Sequence, residues 1–488
     1  QNVQENLESI LDLQEKLPVQ LVQVDDGFET RVGDWFTFKP TFPHGVAPLA
    51  EQVSREGLLP GLWLAPFAVH PKSRLFAEHP DWVLRTSTGR PANAGLGWNA
   101  LFHGLDLTVP EALDYACRVV RTAAHEWGYP YLKLDFLYAA ALKGVFRDPT
   151  KTRAQVLRAG MQAIRQAVGP EVMLLGCGLP LGSGLGLVDC MRIGPDVSGS
   201  WDPEFGGIKV FLKDEPAVPC ARNSIHDILT RFDLHQHWWI NDPDCLLVRA
   251  DTKLTEDEVR SLAAVIALTG GSLLLSDDLP GLDPQRLDLA SRLLPVITER
   301  ARILDRFDTT MPERLRLDLV DPCGERHLLA RFNWSDQPVQ ISLNSGDYDL
   351  EDGTYYAREF WSGKVHRLEA AGKAINMTIP AHGCILLAAR RVEEDQPAYL
   401  GSNLHISQGI ELADWQPDDN EVLFTLRLPR TAEGRVVVLL PGELSSIEVN
   451  GAHELVGTIH ELPLPNHHLY DVPVKVDGFA QVKMCWGK

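Results

Sequence analysis

The sequence predicts an α/β protein: a (β/α)8-type (TIM) barrel with seven strands visible in this chain, followed by two antiparallel β domains. Three observations carry this. Short apolar runs alternate with stretches of helical spacing over about 300 residues, polar residues close nearly every run at its C-terminal end, and beyond about residue 305 the pattern becomes short strands with period-two alternation.

The runs are VQLVQVDDGF (19–28), GLWLAPF (61–67), YLKLDFLY (131–138), EVMLLGCG (171–178), DCMRIGPD (189–196), WWINDPDC (238–245) and SLLLSDDL (272–279). Being apolar nearly throughout, they suit parallel strands buried on both faces. Helix starts lie between them: Thr108 with Glu111 and Thr255 with Glu258 as capping boxes, and Asp148 ahead of Pro149 as a cap with a first-turn proline. A doubly wound sheet would gather its site at one switch point, whereas polar residues at seven strand ends suit the floor of a barrel. An eighth strand is expected just before residue 1, because the chain opens in a helix-like stretch, Gln4 to Lys16, ahead of the first visible run.

After the barrel, RLRLDLVD, RHLLARFNWS, GTYYAREFWSG, INMTIP and CILLAAR read as an antiparallel sheet, RRVEEDQPAYLG (390–401) as a linker, and EVLFTLRL, GRVVVLLP and LSSIEVNG as a second β segment with a hairpin turn at Asn450-Gly451. The expected domains are 1–305, 306–392 and 396–488.

With 488 residues, 44% of them hydrophobic and 23% charged, the chain has the composition of a globular protein with a sizeable core. A net charge of −20, spread along the chain, argues against nucleic acid or an anionic membrane as partner, since both demand a basic field. There is no run of roughly 18 to 20 apolar residues and no signal-like start, so a soluble, cytoplasmic protein is expected. The opening Gln, in place of Met, points to a trimmed, processed or partial N-terminus. The eight scattered cysteines carry no C-x-x-C pair and read as buried thiols. The sequons at Asn333 and Asn376 are as many as chance supplies.

Two acids have the right surroundings for chemistry. Asp135 follows Lys133 by two residues, which puts both side chains on one side of a strand, inward in a barrel, where the ammonium would hold the carboxylate ionised. Asp196 follows Arg192 in the turn RIGPD. Two carboxylates on different strands of one barrel mouth are the equipment of glycoside hydrolysis, one attacking the anomeric carbon and one protonating the leaving oxygen. A purely structural role, each Asp capping a helix or pairing with its basic neighbour, competes with this. Trp63, Trp201, Trp238 and Trp239 are either core residues or platforms for a sugar's apolar face. The adjacent Asp25 and Asp26 suit hydroxyl recognition or a metal. No His cluster supports a metal, so neither metal nor cofactor is expected.

The segments QLVQVDDGFETRVGDW, GLWLAPF, YLKLDFLYA, GCGLPLGSGLGLVDCMRIGPDV and WWINDPDCLLV resemble the barrel of glycoside hydrolase family 36, the α-galactosidases of the melibiase clan. The resemblance runs from about residue 5 to near residue 390, and family 27 of the same clan fits less well. It implies a retaining double displacement on terminal α-galactosyl units, with Asp135 as nucleophile and Asp196 as general acid/base. It also implies that Asp25 and Asp26 accept the 4- and 6-hydroxyls and that Trp63, Lys133, Cys177 and Arg192 line the pocket. The family's usual N-terminal β-sandwich and its Trp- and Tyr-rich first barrel strand have no counterpart here, and residues 396–488 extend beyond the match. The expected partners are α-galactoside oligosaccharides, and a homo-oligomer is compatible with them. A galactosyl transferase, an α-N-acetylgalactosaminidase of the same clan, or a non-catalytic sugar-binding protein are the competing readings.

Overall fold

The structure is a computed structural model and describes residues 2–205, 208–209, 215–369, 374–393, 395–453, 460–462 and 468–487. The chain packs as two compact units. The first comprises residues 1–11, 19–193 and 233–242, the second 12–18, 194–232 and 243–488.

The first unit is organised by six parallel strands, Leu21–Val24, Leu59–Leu64, Tyr131–Leu134, Met173–Gly176, Cys190–Arg192 and Ile240–Asp242, which neighbour one another in sequence order. Six of the seven expected runs therefore become strands, each shorter than its run. Parallel neighbours need a crossover, and among the segments between them are the helices Ala47–Arg55, Pro110–Arg121 and Arg153–Val168. Asn2–Leu13 is the helix expected at the start, with Leu7 and Ile10 buried. Two of the expected helix starts are corrected. Thr108 turns its hydroxyl to Asp106 at 2.6 Å, so the helix begins at Pro110 without a side-chain cap. Asp148 accepts from Thr150 N–H and Oγ1, a local turn that delays the helix to a Thr152/Gln155 capping box.

A hairpin, Asn93–Gly97 with Ala100–Gly104, is inserted after the second strand. Its two-residue loop, Trp98 and Asn99, has φ of 51° and 57°, the left-handed pair of a type I′ turn. Trp is a costly occupant of that region, and such strain, of order 1 kcal/mol or more, persists only where the surroundings enforce it. At the hairpin's end Gly104 passes so close to the Leu137–Ala141 turn that a Cβ there would lie 1.9 Å from the Ala139 carbonyl oxygen, which excludes every other residue.

In the second unit Thr255 and Glu258 form the expected capping box of the helix Glu256–Thr269. The run 272–279 does not become a strand. It makes one parallel bridge, Cys245 to Leu274, because the Asp277 carboxylate takes the Val248 and Arg249 N–H groups that a strand's carbonyls would have taken. Arg302–Ile303 and five antiparallel strands, among them Arg314–Asp321 and Cys384–Arg391, form a six-stranded sheet, while Val339–Leu343 and Ile375–Ile379 pair in a separate one. A seven-stranded sheet follows, built on Glu421–Leu440 paired with His468–Trp486. The first of these is one strand with a register shift between Arg427 and Thr431, where the sequence suggested two. The segment read as a linker also changes: its end, Ala398–Ser402, is a strand with Tyr399 wholly buried, while Glu394 lies outside the described residues. Asn450 and Gly451, with φ of 52° and 77°, make the expected hairpin turn. Among the described residues no helix is long and apolar enough to cross a membrane.

Candidate functional site

Parallel strands bring their C-terminal ends to one edge, and in the first unit that edge carries seven of the eight singled-out residues. Asp25 and Asp26 follow the first strand and Trp63 lies in the second. Lys133 and Asp135 close the third, Cys177 follows the fourth, and Arg192 ends the fifth. Asp196 belongs to the second unit, where it is exposed in the loop after Arg192. In that loop the Val197 N–H donates to Asp244 Oδ2 at 2.6 Å.

Asp135 is half-buried and held by donors on both oxygens. Trp63 Nε1–H donates to Oδ2 at 3.1 Å and the Phe136 backbone N–H to Oδ1 at 2.6 Å. Phe136 itself takes a left-handed conformation, φ 51°, just past the end of the strand. The Cys177 thiol, buried nearby, feels the Asp135 charge. Burial, then the Asp135 charge, raise its pKa well above the ordinary thiol value, so it stays an S–H donor at neutral pH.

Lys133 does not serve Asp135 as expected. Its Nζ pairs with Asp25 Oδ2 at 3.0 Å, because the long stem reaches past the intervening strand to the end of the first. Burial alone would lower the lysine pKa, and the Asp25 carboxylate more than reverses that. Asp25 also accepts from Gln23 Nε2 at 2.6 Å and from the Asp26 N–H at 2.9 Å. Arg192 pairs through Nε with Asp242 Oδ2 at 3.2 Å, both side chains almost wholly buried. Removing one member of such a pair strands the other charge in a dry site. Asp242→Ala should therefore lower the unfolding free energy by roughly 3 kcal/mol in urea denaturation. An unchanged midpoint would show that the pair contributes nothing.

Of the four tryptophans named from sequence, Trp63, Trp201 and Trp239 are buried and Trp238 is half exposed. Trp63 thus meets Asp135 through its indole N–H while its ring packs against Trp35 and Trp98, with centroids at 6.0 and 6.3 Å.

Two side chains beside Asp26 escaped the sequence reading. Trp98, at the hairpin tip, donates Nε1–H to Asp26 Oδ2 at 2.8 Å and packs against Phe136 and Phe102, each at 5.1 Å. Its signal was faint, since WN lacks the glycine that usually marks a type I′ turn. Glu29, 2% exposed, buries its carboxyl in the loop that carries Asp26, with Oε2 lacking a hydrogen-bond partner among the described residues. Nothing about a lone acid in a loop announced burial. Asp242 was noted only as one of several polar residues at a strand end, and its pairing with Arg192 is a feature of the fold alone.

Residues 2–164 match the Melibiase family model, a stretch that contains Asp25, Asp26, Trp63, Lys133 and Asp135. The chain is 32% identical over 139 residues to the α-galactosidase AgaA of Geobacillus stearothermophilus, covering 27% of this chain and 18% of that one. It is 31% identical over 126 residues to an α-galactosidase of Escherichia coli, covering 24% and 17%. It thus spans less than a fifth of the length of these curated relatives. Among solved structures it is similar to the α-galactosidase TtGalA of Thermus thermophilus, in complex with p-nitrophenyl α-D-galactopyranoside. That likeness has 37% identity and a TM-score of 0.55, over 64% of this chain and 61% of the other. A GH27 β-L-arabinopyranosidase of Geobacillus stearothermophilus shares the fold at 16% identity, with a TM-score of 0.56 over 80% and 92% of the two chains.

Proposed function

We propose that this protein is a retaining α-galactosidase of family 36 that hydrolyses terminal α-galactosyl units of oligosaccharides through a covalent glycosyl-enzyme. The observation that carries the reading is Asp135: a carboxylate at a strand end, held by a donor on each oxygen, the Trp63 indole N–H and the Phe136 backbone N–H, within the stretch that matches the Melibiase model. The likeness to α-galactosidases from several organisms supports the substrate class.

In this mechanism Asp135 attacks the anomeric carbon and its negative charge stabilises the oxocarbenium-like transition state. Asp196 first protonates the departing oxygen and then, its proton spent, deprotonates the water that cleaves the ester. The Lys133–Asp25 pair, with Asp26 beside it, receives the sugar's hydroxyls. An axial 4-hydroxyl that meets a fixed acceptor separates galactose from glucose, whose hydroxyl points elsewhere and leaves the acid unsatisfied. Cys177 and Arg192 complete the wall. The catalytic barrel is assigned to 1–305, with 306–392 and 396–488 as accessory β domains. Release of p-nitrophenol from p-nitrophenyl α-galactoside by the purified chain is the expected result, and no release at any pH between 5 and 8 would end this reading.

A further inference from the structure

The loop that carries Asp196 is gripped from a β domain of its own unit. Five residues beyond Asp196 the Trp201 ring is buried, and the His382 imidazole lies flat against it, with centroids 4.2 Å apart and planes 13° from parallel. Trp201 also faces Trp334 at 6.1 Å and 20°, and Trp334 stacks on Phe332 at 4.8 Å and 10°. Four near-parallel rings thus link the loop to the end of the strand Gly324–Phe332. His382 has φ of 56°, a left-handed conformation that a residue with a side chain keeps only where its surroundings enforce it. Its carbonyl accepts the Ser261 hydroxyl at 2.7 Å. All of these residues belong to the second unit.

Both ring nitrogens of His382 meet carboxylates. Nδ1 lies 2.7 Å from Glu258 Oε1 and Nε2 lies 3.0 Å from Asp336 Oδ1. A neutral imidazole has one N–H and can serve one of them, whereas two ionised acceptors call for the imidazolium, which donates from both sides. Burial alone would raise the Glu258 carboxyl, and the bonds from His382 and Thr255 more than reverse that, so it is ionised at neutral pH. Burial alone would likewise lower the His382 pKa, and the bonds to Glu258 and Asp336 more than reverse it, to above the ordinary 6.5. These are the charged groups that face the ring: Glu258 from the helix Glu256–Thr269 and Asp336 from the loop after Phe332. A cation held over an indole face is attracted to it.

We propose that His382 is a positioning residue for Asp196: its imidazolium, held between Glu258 and Asp336, grips the Trp201 ring and so fixes the loop from which Asp196 gives and takes its proton. The inference rests on the reading of Asp196 as the general acid/base. A group whose pKa is raised in the folded protein contributes fully at acid pH and loses its contribution as pH rises through that value. When His382 gives up its proton, one carboxylate faces a bare ring nitrogen and the attraction to Trp201 fades, so the loop loosens on the alkaline side. A loosened Asp196 matters only where the leaving oxygen needs a proton.

The test joins two readouts on the parent, His382→Gln and Asp336→Asn. The first is hydrogen exchange by mass spectrometry of the peptide spanning residues 194–205, from pH 5 to 9, corrected for the intrinsic rate. Protection in the parent should fall about tenfold as His382 loses its proton above pH 6.5. His382→Gln can still donate to Glu258 but has neither charge nor ring, and its protection should be low at every pH. Asp336→Asn alters an exposed carboxylate, so it should fold like the parent and lose protection at lower pH. The second readout is kcat/KM at pH 6. His382→Gln should lower it about tenfold on raffinose and by less than about twofold on p-nitrophenyl α-galactoside. Protection in the parent that ignores pH, or an Asp336→Asn profile identical to the parent's, overturns the grip. Equal losses on the two substrates overturn the positioning of Asp196. A parent that turns over neither substrate overturns the function proposed above, and the exchange profile then decides by itself whether His382 holds the loop.

Discussion

Asp135→Asn should fold like the parent and lose at least about 10³-fold in kcat on p-nitrophenyl α-galactoside, close to 4 kcal/mol of transition-state stabilisation. The amide oxygen can still accept the Phe136 N–H that arrives at 2.6 Å, so the turn at the strand end survives. An amide is not a nucleophile toward the anomeric carbon, and it puts no negative charge beneath the growing oxocarbenium ion. The local cost is a donor turned toward the Trp63 N–H, a loss of one hydrogen bond, of order 1 kcal/mol in stability. A variant that melts within a few degrees of the parent and is inactive separates chemistry from folding. Activity above a hundredth of the parent's would remove Asp135 from the role of nucleophile.

Asp196→Ala should produce a loss that depends on the leaving group. Its exposure in the loop after the fifth strand lets it exchange protons with water, which an acid that must become a base within one turnover requires. p-Nitrophenolate departs with little protonic help, so the first step should be spared and a burst of p-nitrophenol should precede slow turnover. An unactivated sugar aglycone, as in raffinose, leaves only when protonated, and its kcat/KM should fall by about 10⁴-fold while that of the aryl substrate, set by the spared first step, stays nearly unchanged. Equal losses on both substrates would show that Asp196 gives no proton to the leaving group.

How far the sequence carried these expectations is clear from particular residues. The period-two spacing of Lys133 and Asp135 leads to the expectation that both side chains point to one side of their strand, with the ammonium beside the carboxylate. It could not say that the ammonium crosses an intervening strand to Asp25, because that depends on how the sheet brings distant strand ends together. The donors on Asp135 instead are the next residue's backbone N–H and the Trp63 indole on a neighbouring strand, and the second of these is no local pattern. The run 272–279 had the apolarity of a strand and lost its ladder to the Asp277 side chain. Trp98 and Glu29 were hidden for a related reason. One depends on a hairpin whose turn lacks glycine, the other on burial of an acid in a loop. Apolar periodicity registers where strands run and which side they show. It does not register which polar atom meets which across the sheet.

The most direct measurement is mass spectrometry of the protein after incubation with a fluorinated α-galactosyl donor, whose electron-poor ring slows hydrolysis of the glycosyl-enzyme more than its formation. The predicted result is one added fluorogalactosyl group, in ester linkage, on the peptide that contains Asp135, and none on the Asp135→Asn variant. An adduct on any other carboxylate, or turnover of α-galactosides with no covalent species under these conditions, would contradict the account.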